Sequence, residues 1–437
     1  MKRDGGPARE AARRVLADVR AGAYADRAAE RQLEGLDGRD RALALELAYG
    51  TIRLRGRLDV ELARRVDRPL AKLDPRLLDW LRLGLYQLRE TRIPAHAAVH
   101  ETVAGARAEL GRGAAGLLNA VLRNAEREGI PEGTFPDRER DPEGWLVAHG
   151  SHPAWLVRRW LARWPLADVE RLVEYDNRPP SVTLRLLGGT SEEAGEGSGV
   201  RLETVPGHPR TRVIREGTPD RVLRGLRAVV QDPAASAVVD YVGPRIEGPV
   251  LDACAAPGGK AAVLAELAGG ARPFVAADRS VERLRVAAGG LRRAAPGVGI
   301  VAMDARRPAV RRAMTVLIDA PCSGTGVLGR RPDARWRTGA RRLGSLVGLQ
   351  AEILDACAEL VPPGGVLVYA TCSLEHEENE GQIDAFLERW PPFERAGPGG
   401  PVAPGLLTER GDLEALPFRT DTDGAFASRL RRKGEAG

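Results

Sequence analysis

From residue 231 onward the chain repeats one unit: a short apolar run, a turn carrying an acidic residue or a thiol, and a helical stretch. Val250-Leu251-Asp252 is followed by Gly258-Gly259 and an apolar helical stretch over 261–267. Phe274-Val275-Ala276-Ala277 leads to Asp278 and a helix around 281–286. Ile300-Val301-Ala302 precedes Asp304, Val316-Leu317-Ile318 precedes Asp319, and Val366-Leu367-Val368-Tyr369 precedes Cys372. Continuous apolar strands alternating with helices predict an α/β, Rossmann-like domain whose parallel sheet is covered on both faces. Sheets of this kind bind ligands just beyond the carboxyl ends of their strands. The polar residue that closes each strand is therefore a candidate site residue.

A chain of 437 residues exceeds one hydrophobic core, so further domains precede that sheet. Residues 8 to about 130 read as helices. Leu43, Leu45, Leu47, Ala48 and Ile52 mark one amphipathic stretch, and Leu77, Leu78, Leu81, Leu85 and Leu88 a second. A third runs over 99–110 and a fourth through Leu117, Leu118, Val121 and Leu122. The expected division is an all-α domain over 1–135, a helical linker over 136–180, a small α+β extension over 181–230 and the catalytic domain over 231–437. The linker carries Trp155, Trp160 and Trp164. In the extension, Val182-Thr183-Leu184-Arg185-Leu186 alternates as a strand does, and 188–199 reads as a loop.

No apolar run is long enough to span a membrane, and the first ten residues lack the apolar stretch of a secretory signal. The four cysteines, Cys254, Cys322, Cys357 and Cys372, form no CxxC pair, which argues against a zinc cluster or disulfide framework. A cytoplasmic monomer that uses no metal is the expectation. The net charge of +6 suits a polyanionic partner. Among 66 basic residues only Lys2, Lys72, Lys260 and Lys433 are lysines, so the lysine retained in a glycine loop, Lys260, suggests a role arginine cannot fill.

Cys254-Ala255-Ala256-Pro257-Gly258-Gly259-Lys260 joins the first strand of the sheet to its helix. Glycines let a ligand approach the backbone, and the helix start offers free N–H groups. The spacing is neither a Walker loop nor the GxGxxG fingerprint. It suits the amino-acid end of S-adenosyl-L-methionine, with Asp278 placed for the ribose hydroxyls and Asp304 for an adenine amine.

The turn Asp319-Ala320-Pro321-Cys322-Ser323-Gly324 and the turn Thr371-Cys372-Ser373 close adjacent strands and would project two thiols into one cleft. Carbon 5 of a pyrimidine is a poor nucleophile until a thiolate adds to carbon 6 and turns the ring into an enamine. Cys372 is the candidate nucleophile, Cys322 an aid to product release, Asp319 a hydrogen-bond partner for the ring, and Lys260 its positioner. Cys357, between Leu354 and Leu360 on a helix, reads as core. The acidic run 375–380 reads as a first helical turn after a Ser373 cap, with Glu378 or Asn379 able to shape the cleft. Arg330, Arg331, Arg335 and Arg337 are candidate phosphate contacts.

CAAPGGK (254–260), DAPCSGTG (319–326) and TCSLEHEEN (371–379) together resemble the RsmB/Sun family of RNA cytosine-C5 methyltransferases. Arg331-Pro332-Asp333 with Trp336, Gln231 to Ser236, and Thr422-Asp423-Gly424-Ala425-Phe426 extend the likeness. The resemblance implies a class I methyltransferase domain, S-adenosyl-L-methionine as cofactor, the TCS cysteine as nucleophile and the PCSG cysteine in product release. Ala48 to Thr51, Leu83 to Leu88 and Asn119 to Arg123 resemble a NusB-type RNA-binding domain. That pairing implies a cytosine of small-subunit (16S) ribosomal RNA as target. A transfer-RNA methyltransferase and a non-catalytic RNA-binding assembly factor are the alternatives. Phe418-Arg419-Thr420 stands where the family often carries a histidine.

Overall fold

The computed structural model describes residues 6–188, 200–244, 246, 248–269 and 273–434. Most of the loop expected over 188–199 lies outside them. The chain divides into two units, Met1–Pro179 with Leu328–Gly339, and Pro180–Val327 with Ala340–Gly437.

The first unit is helical. Its segments Gly6–Arg20, Ala25–Gln32, Gly38–Arg53, Arg55–Ala63, Pro75–Glu90 and Ala95–Glu128 enclose a core that includes Leu47, Leu62, Trp80, Leu81, Leu118 and Leu122. Starts follow local chemistry: Asp37 and Asp74 accept hydrogen bonds from N–H groups of the first turn, and Pro75 occupies a position with no helical bond to lose. The third and fourth amphipathic stretches are one run broken at Gly111, whose φ of 84° a side chain would rarely adopt. Pro142–Ala148, Ala154–Arg163 and Leu166–Asn177 follow.

Leu328–Gly339 belongs to this helical unit although its neighbours in sequence belong to the other. Arg335 is 1% exposed and anchors it. Its guanidinium donates to the carbonyls of Arg53 and Ser151 at 3.1 Å, of Asp176 at 3.1 Å, and to Asn177 Oδ1 at 2.9 Å. Trp336 Nε1 donates to Ile52 O at 2.8 Å, and Arg337 lies over the Tyr24 ring. The expected arginine face is corrected at Arg335, which is buried; Arg331 is exposed, and Arg330 and Arg337 are partly exposed.

The second unit holds two sheets. β1 (Thr183–Leu186), β2 (Arg201–Val205), β3 (His208–Glu216) and β4 (Ala228–Val230) form an antiparallel sheet in the order β2-β3-β1-β4. Arg185 on β1 is 1% exposed and is forked onto Asp240, with a third hydrogen bond to Ser236 O at 3.0 Å.

The larger sheet contains β5 (Val250–Asp252), β6 (Phe274–Asp278), β7 (Gly299–Ala302), β8 (Thr315–Asp319), β9 (Val366–Thr371), β10 (Phe393–Arg395), β11 (Leu413–Ala415) and β12 (Ala425–Arg432). Its order is β10-β12-β9-β8-β5-β6-β7, with β11 beside β12. β5 to β9 are parallel, as the strand–helix rhythm predicts. β10, β11 and β12 run antiparallel, so the sheet is mixed rather than parallel throughout. β10 and β11 are three residues each and β12 mixes apolar with polar residues, which is why the α/β rhythm did not reveal them.

Alternation sorts the core. Val316, Ile318, Leu367 and Tyr369 pack with Leu354, Cys357 and Phe386 on one face, whereas Leu317 and Val368 join Ala261, Leu264 and Leu291 on the other. Cys357 is fully buried there, and burial pushes its thiol up to about 12. With both faces covered, the parallel strand ends are the open polar edge. Among the described residues, no helix is long and apolar enough to cross a membrane.

Candidate active site

The carboxyl ends of β5, β6, β8 and β9 supply the site. Gly258, with φ of 103°, lets the chain turn from the loop after β5 into the helix Gly259–Leu267. Ala255 N donates to Ala277 O at 2.7 Å, and Ala256 N donates to Asp278 Oδ2 at 3.2 Å, so the loop after β5 is tied to β6. Asp278 Oδ1 accepts from Ser280 N at 2.8 Å, and Arg283 reaches Ala256 O. Asp304 is more exposed and forked onto Arg306, whose hydrogen bonds hold its carboxyl down at about 2.

Lys260 Nζ donates to Asp319 Oδ2 at 2.8 Å, the pairing expected from the lone lysine of the glycine loop. Burial alone would lower the lysine pKa; attraction to Asp319, with its hydrogen bond, outweighs that and raises it. Cys322 Sγ lies 3.4 Å from Cys372 Sγ, so the thiols ending adjacent strands share one cleft. Contact with Cys372 raises the Cys322 pKa first, burial second, and the charge of Glu378 adds to both. Burial likewise raises the Cys254 thiol.

Asp252 is fully buried at the root of the site. Its Oδ1 accepts from Cys254 N at 3.3 Å and its Oδ2 has no partner. Burial, and then the neighbouring Asp319, push its carboxyl up to about 8 from 3.8. The folded state therefore keeps a proton that the unfolded chain releases, and stability falls as pH rises between those values. In thermal melts at pH 5 and pH 8, the wild-type protein should lose more stability on going to pH 8 than Asp252→Asn does.

The acidic run differs from its expected form. His376–Glu378 is a 3-10 turn and the α-helix begins only at Glu380. Ser373 caps no helix; its Oγ accepts from Glu375 N at 3.0 Å and lies 3.0 Å from Ser323 Oγ. Glu378 is 0% and Asn379 2% exposed, so the two are part of the floor beneath the thiols. Gln350, which joins them, gave no local signal: it sits on one face of the long helix Ala340–Ala358.

The distant motifs meet here as well. Gly326 N donates to Cys372 O at 3.0 Å, and Gly424 N donates to Gly326 O at 2.7 Å. A Cβ on Gly326 would lie 2.8 Å from Gly424 Cα and 2.9 Å from Cys372 O, both backbone atoms that cannot swing aside. Gly326→Ala should cost about 1–3 kcal/mol in denaturant unfolding. Asp423 N donates to Asp232 Oδ1 at 3.2 Å, which brings the Gln231–Ser236 motif to the same place.

Parallel strands whose ends carry a glycine turn, carboxylates and paired thiols define a Rossmann-like methyltransferase. Comparison with known proteins agrees. The family described as 16S rRNA methyltransferase RsmB/F matches residues 240–431, the NusB family residues 6–127, and the RsmF/B-like ferredoxin-like domain residues 152–186. The ribosomal RNA small subunit methyltransferase B of Pseudomonas putida is 38% identical, over 88% of this chain and 89% of its own. That of Cronobacter sakazakii is 33% identical, over 90% and 91%. The crystal structure of PH0851 shares the fold, with a TM-score of 0.80 at 23% identity over 99% of each chain. The chain belongs to the RsmB/F family of 16S rRNA methyltransferases, with a NusB domain at its N-terminal end. It is an S-adenosyl-L-methionine-dependent methyltransferase of ribosomal RNA.

Proposed function

We propose that the chain methylates carbon 5 of one cytosine in 16S ribosomal RNA, and that Cys372 attacks carbon 6 of that ring. The contact between the two sulfurs, 3.4 Å apart beside the Lys260–Asp319 ion pair, carries this reading. The loop 254–260, with Asp278, Asp304 and Asp319, would hold S-adenosyl-L-methionine. The fit rests on the positive φ of Gly258 and the unpartnered, buried Oδ2 of Asp252, which would pair with an ammonium group once the carboxyl gives up its proton. When bound, the cofactor supplies an electrophilic methyl group to carbon 5.

The protein's own residues supply the rest. Cys372 as thiolate forms a bond to carbon 6, and the ring gains electron density at carbon 5. Asp319 hydrogen-bonds the ring's polar edge while Lys260 fixes the carboxylate and balances its charge. A base then takes the proton from carbon 5, the C–H electron pair re-forms the carbon 5–carbon 6 double bond, and the Cys372 Sγ–carbon 6 bond breaks, which restores the thiolate and the aromatic ring. Cys322, held as a thiol by its contact with Cys372 and by burial, assists that release. Asp319→Asn should lower kcat by about 10²–10³-fold and should also weaken cofactor binding, since the carboxylate serves both. Single-turnover methyl incorporation and cofactor titration separate the two effects.

The same reading has the domain over 1–135 capture RNA and the domain over 231–437 perform the chemistry, as a cytoplasmic monomer. A substrate base must leave its stack to reach the thiols, so a loop or flipped nucleotide is the target. Bisulfite sequencing of ribosomal and transfer RNA, with and without the gene and with Cys372→Ala, tests the proposal. Loss of one 16S 5-methylcytosine, not restored by the variant, supports substrate and nucleophile together. Loss of a transfer-RNA site instead overturns the substrate, and no change in either RNA overturns the reading.

A further inference from the structure

We propose that the consecutive residues Glu378 and Asn379 position the two thiols, Glu378 chiefly bracing the loop of Cys322, with a further hydrogen bond from Ser373, and Asn379 bracing the turn of Cys372. The inference rests on the roles given above to the two cysteines. Glu378 Oε1 accepts from Ser323 N at 2.9 Å and from Gln350 Nε2 at 3.0 Å, and its Oε2 accepts from Ser323 Oγ at 2.5 Å. Gln350 Nε2 also donates to Pro321 O at 3.0 Å. Both neighbours of Cys322 are thus held through one buried carboxylate.

Asn379 does the same for the other thiol. Its Oδ1 accepts from Thr371 Oγ1 at 2.6 Å and its Nδ2 donates to Ser373 O at 2.9 Å, so it grips both neighbours of Cys372. The two side chains diverge because Glu378 closes a 3-10 turn, whereas Asn379 takes φ −115° and ψ −107° before the next helix. A buried carboxylate is costly unless hydrogen-bonded, and the donors on Ser323 and Gln350 satisfy this one. An arrangement that spends a buried charge on a loop next to a reactive sulfur holds that sulfur to a narrow position. A displacement near 1 Å can cost about 10²-fold in rate.

The two braces act on different steps. Loosening Cys322 should leave attack by Cys372 intact and slow release, so the covalent RNA adduct accumulates. Loosening Cys372 should suppress the adduct itself. The full-length protein is incubated with S-adenosyl-L-methionine and an unmodified 16S rRNA transcript, and adducts are resolved on denaturing gels beside turnover. Glu378→Ala and Ser323→Ala should raise the adduct fraction roughly 10-fold while turnover falls, as Cys322→Ala does, and Asn379→Ala should lower both.

A parallel loss of adduct and turnover in the Glu378 and Asn379 variants overturns the proposal, since a shared structural role predicts that result. If Glu378→Ala does not fold, Ser323→Ala decides between the two outcomes, because it removes one hydroxyl and keeps the backbone. Cys322→Ala separates the two levels of inference. If it traps adduct while Glu378→Ala and Ser323→Ala do not, the bracing alone fails. If it traps none, the assignment of the thiols fails and the bracing with it.

Discussion

Cys372→Ala should abolish methyl transfer, lowering the single-turnover rate by about 10⁴-fold or more, and should form no covalent complex with RNA. The size of the effect follows from the chemistry. Without addition at carbon 6 the ring carbon that receives the methyl group has too little electron density, and no other described group lies where it could replace the sulfur. Cys322 is the nearest rival at 3.4 Å, and the family resemblance gives it product release rather than attack. Cys322→Ala should therefore give the opposite phenotype, low turnover with adduct retained. Equal and complete loss of adduct in both variants would show that the sulfurs act as a unit and not in sequence.

Arg335→Ala carries the largest expected cost in stability. Its guanidinium satisfies the carbonyls of Arg53, Ser151 and Asp176 and the amide oxygen of Asn177, all inside the helical unit. Truncation takes a donor from each of these acceptors, leaving Arg53 O only its bond from Ser151 Oγ, and opens a cavity where a side chain at 1% exposure had been. Breaking a buried charged network of this kind costs about 3–5 kcal/mol. Arg335→Lys should recover only part of it, since one ammonium cannot reproduce a planar fork with several donors. Denaturant unfolding measures both variants. Arg331→Ala is the control: its side chain is exposed, and its substitution should change stability by no more than about 0.5 kcal/mol.

The contrast between Arg331 and Arg335 shows where sequence reading reaches its limit. Both lie in one basic run, and charge density alone gave them the same role. Burial depends on which distant residues fold over each position, and the partners of Arg335 on Arg53, Ser151, Asp176 and Asn177 lie more than 150 residues away in the chain. The acidic run after Cys372 was legible only in part. Its charges suggested a first helical turn with Glu378 or Asn379 able to shape the cleft; the turn is 3-10 and the α-helix starts at Glu380, while Glu378 faces inward because donors arrive from Ser323 and Gln350, on other elements.

Local pattern by itself determined the helical N-terminal region, the parallel strands β5 to β9, the glycine turn and the polar residue closing each strand. Those features depend on hydrophobic period and turn chemistry, which neighbouring residues set among themselves. Motif resemblance added the family and the chemistry. Tertiary structure alone decided the antiparallel strands β10 to β12, the placement of Leu328–Gly339 in the helical unit, the contact of Gly326 with Gly424, and the hydrogen bonds beneath the thiols. Each of these arises from groups far apart in sequence, and their pairing is fixed by the packing of whole elements, for which the chain carries no local signal.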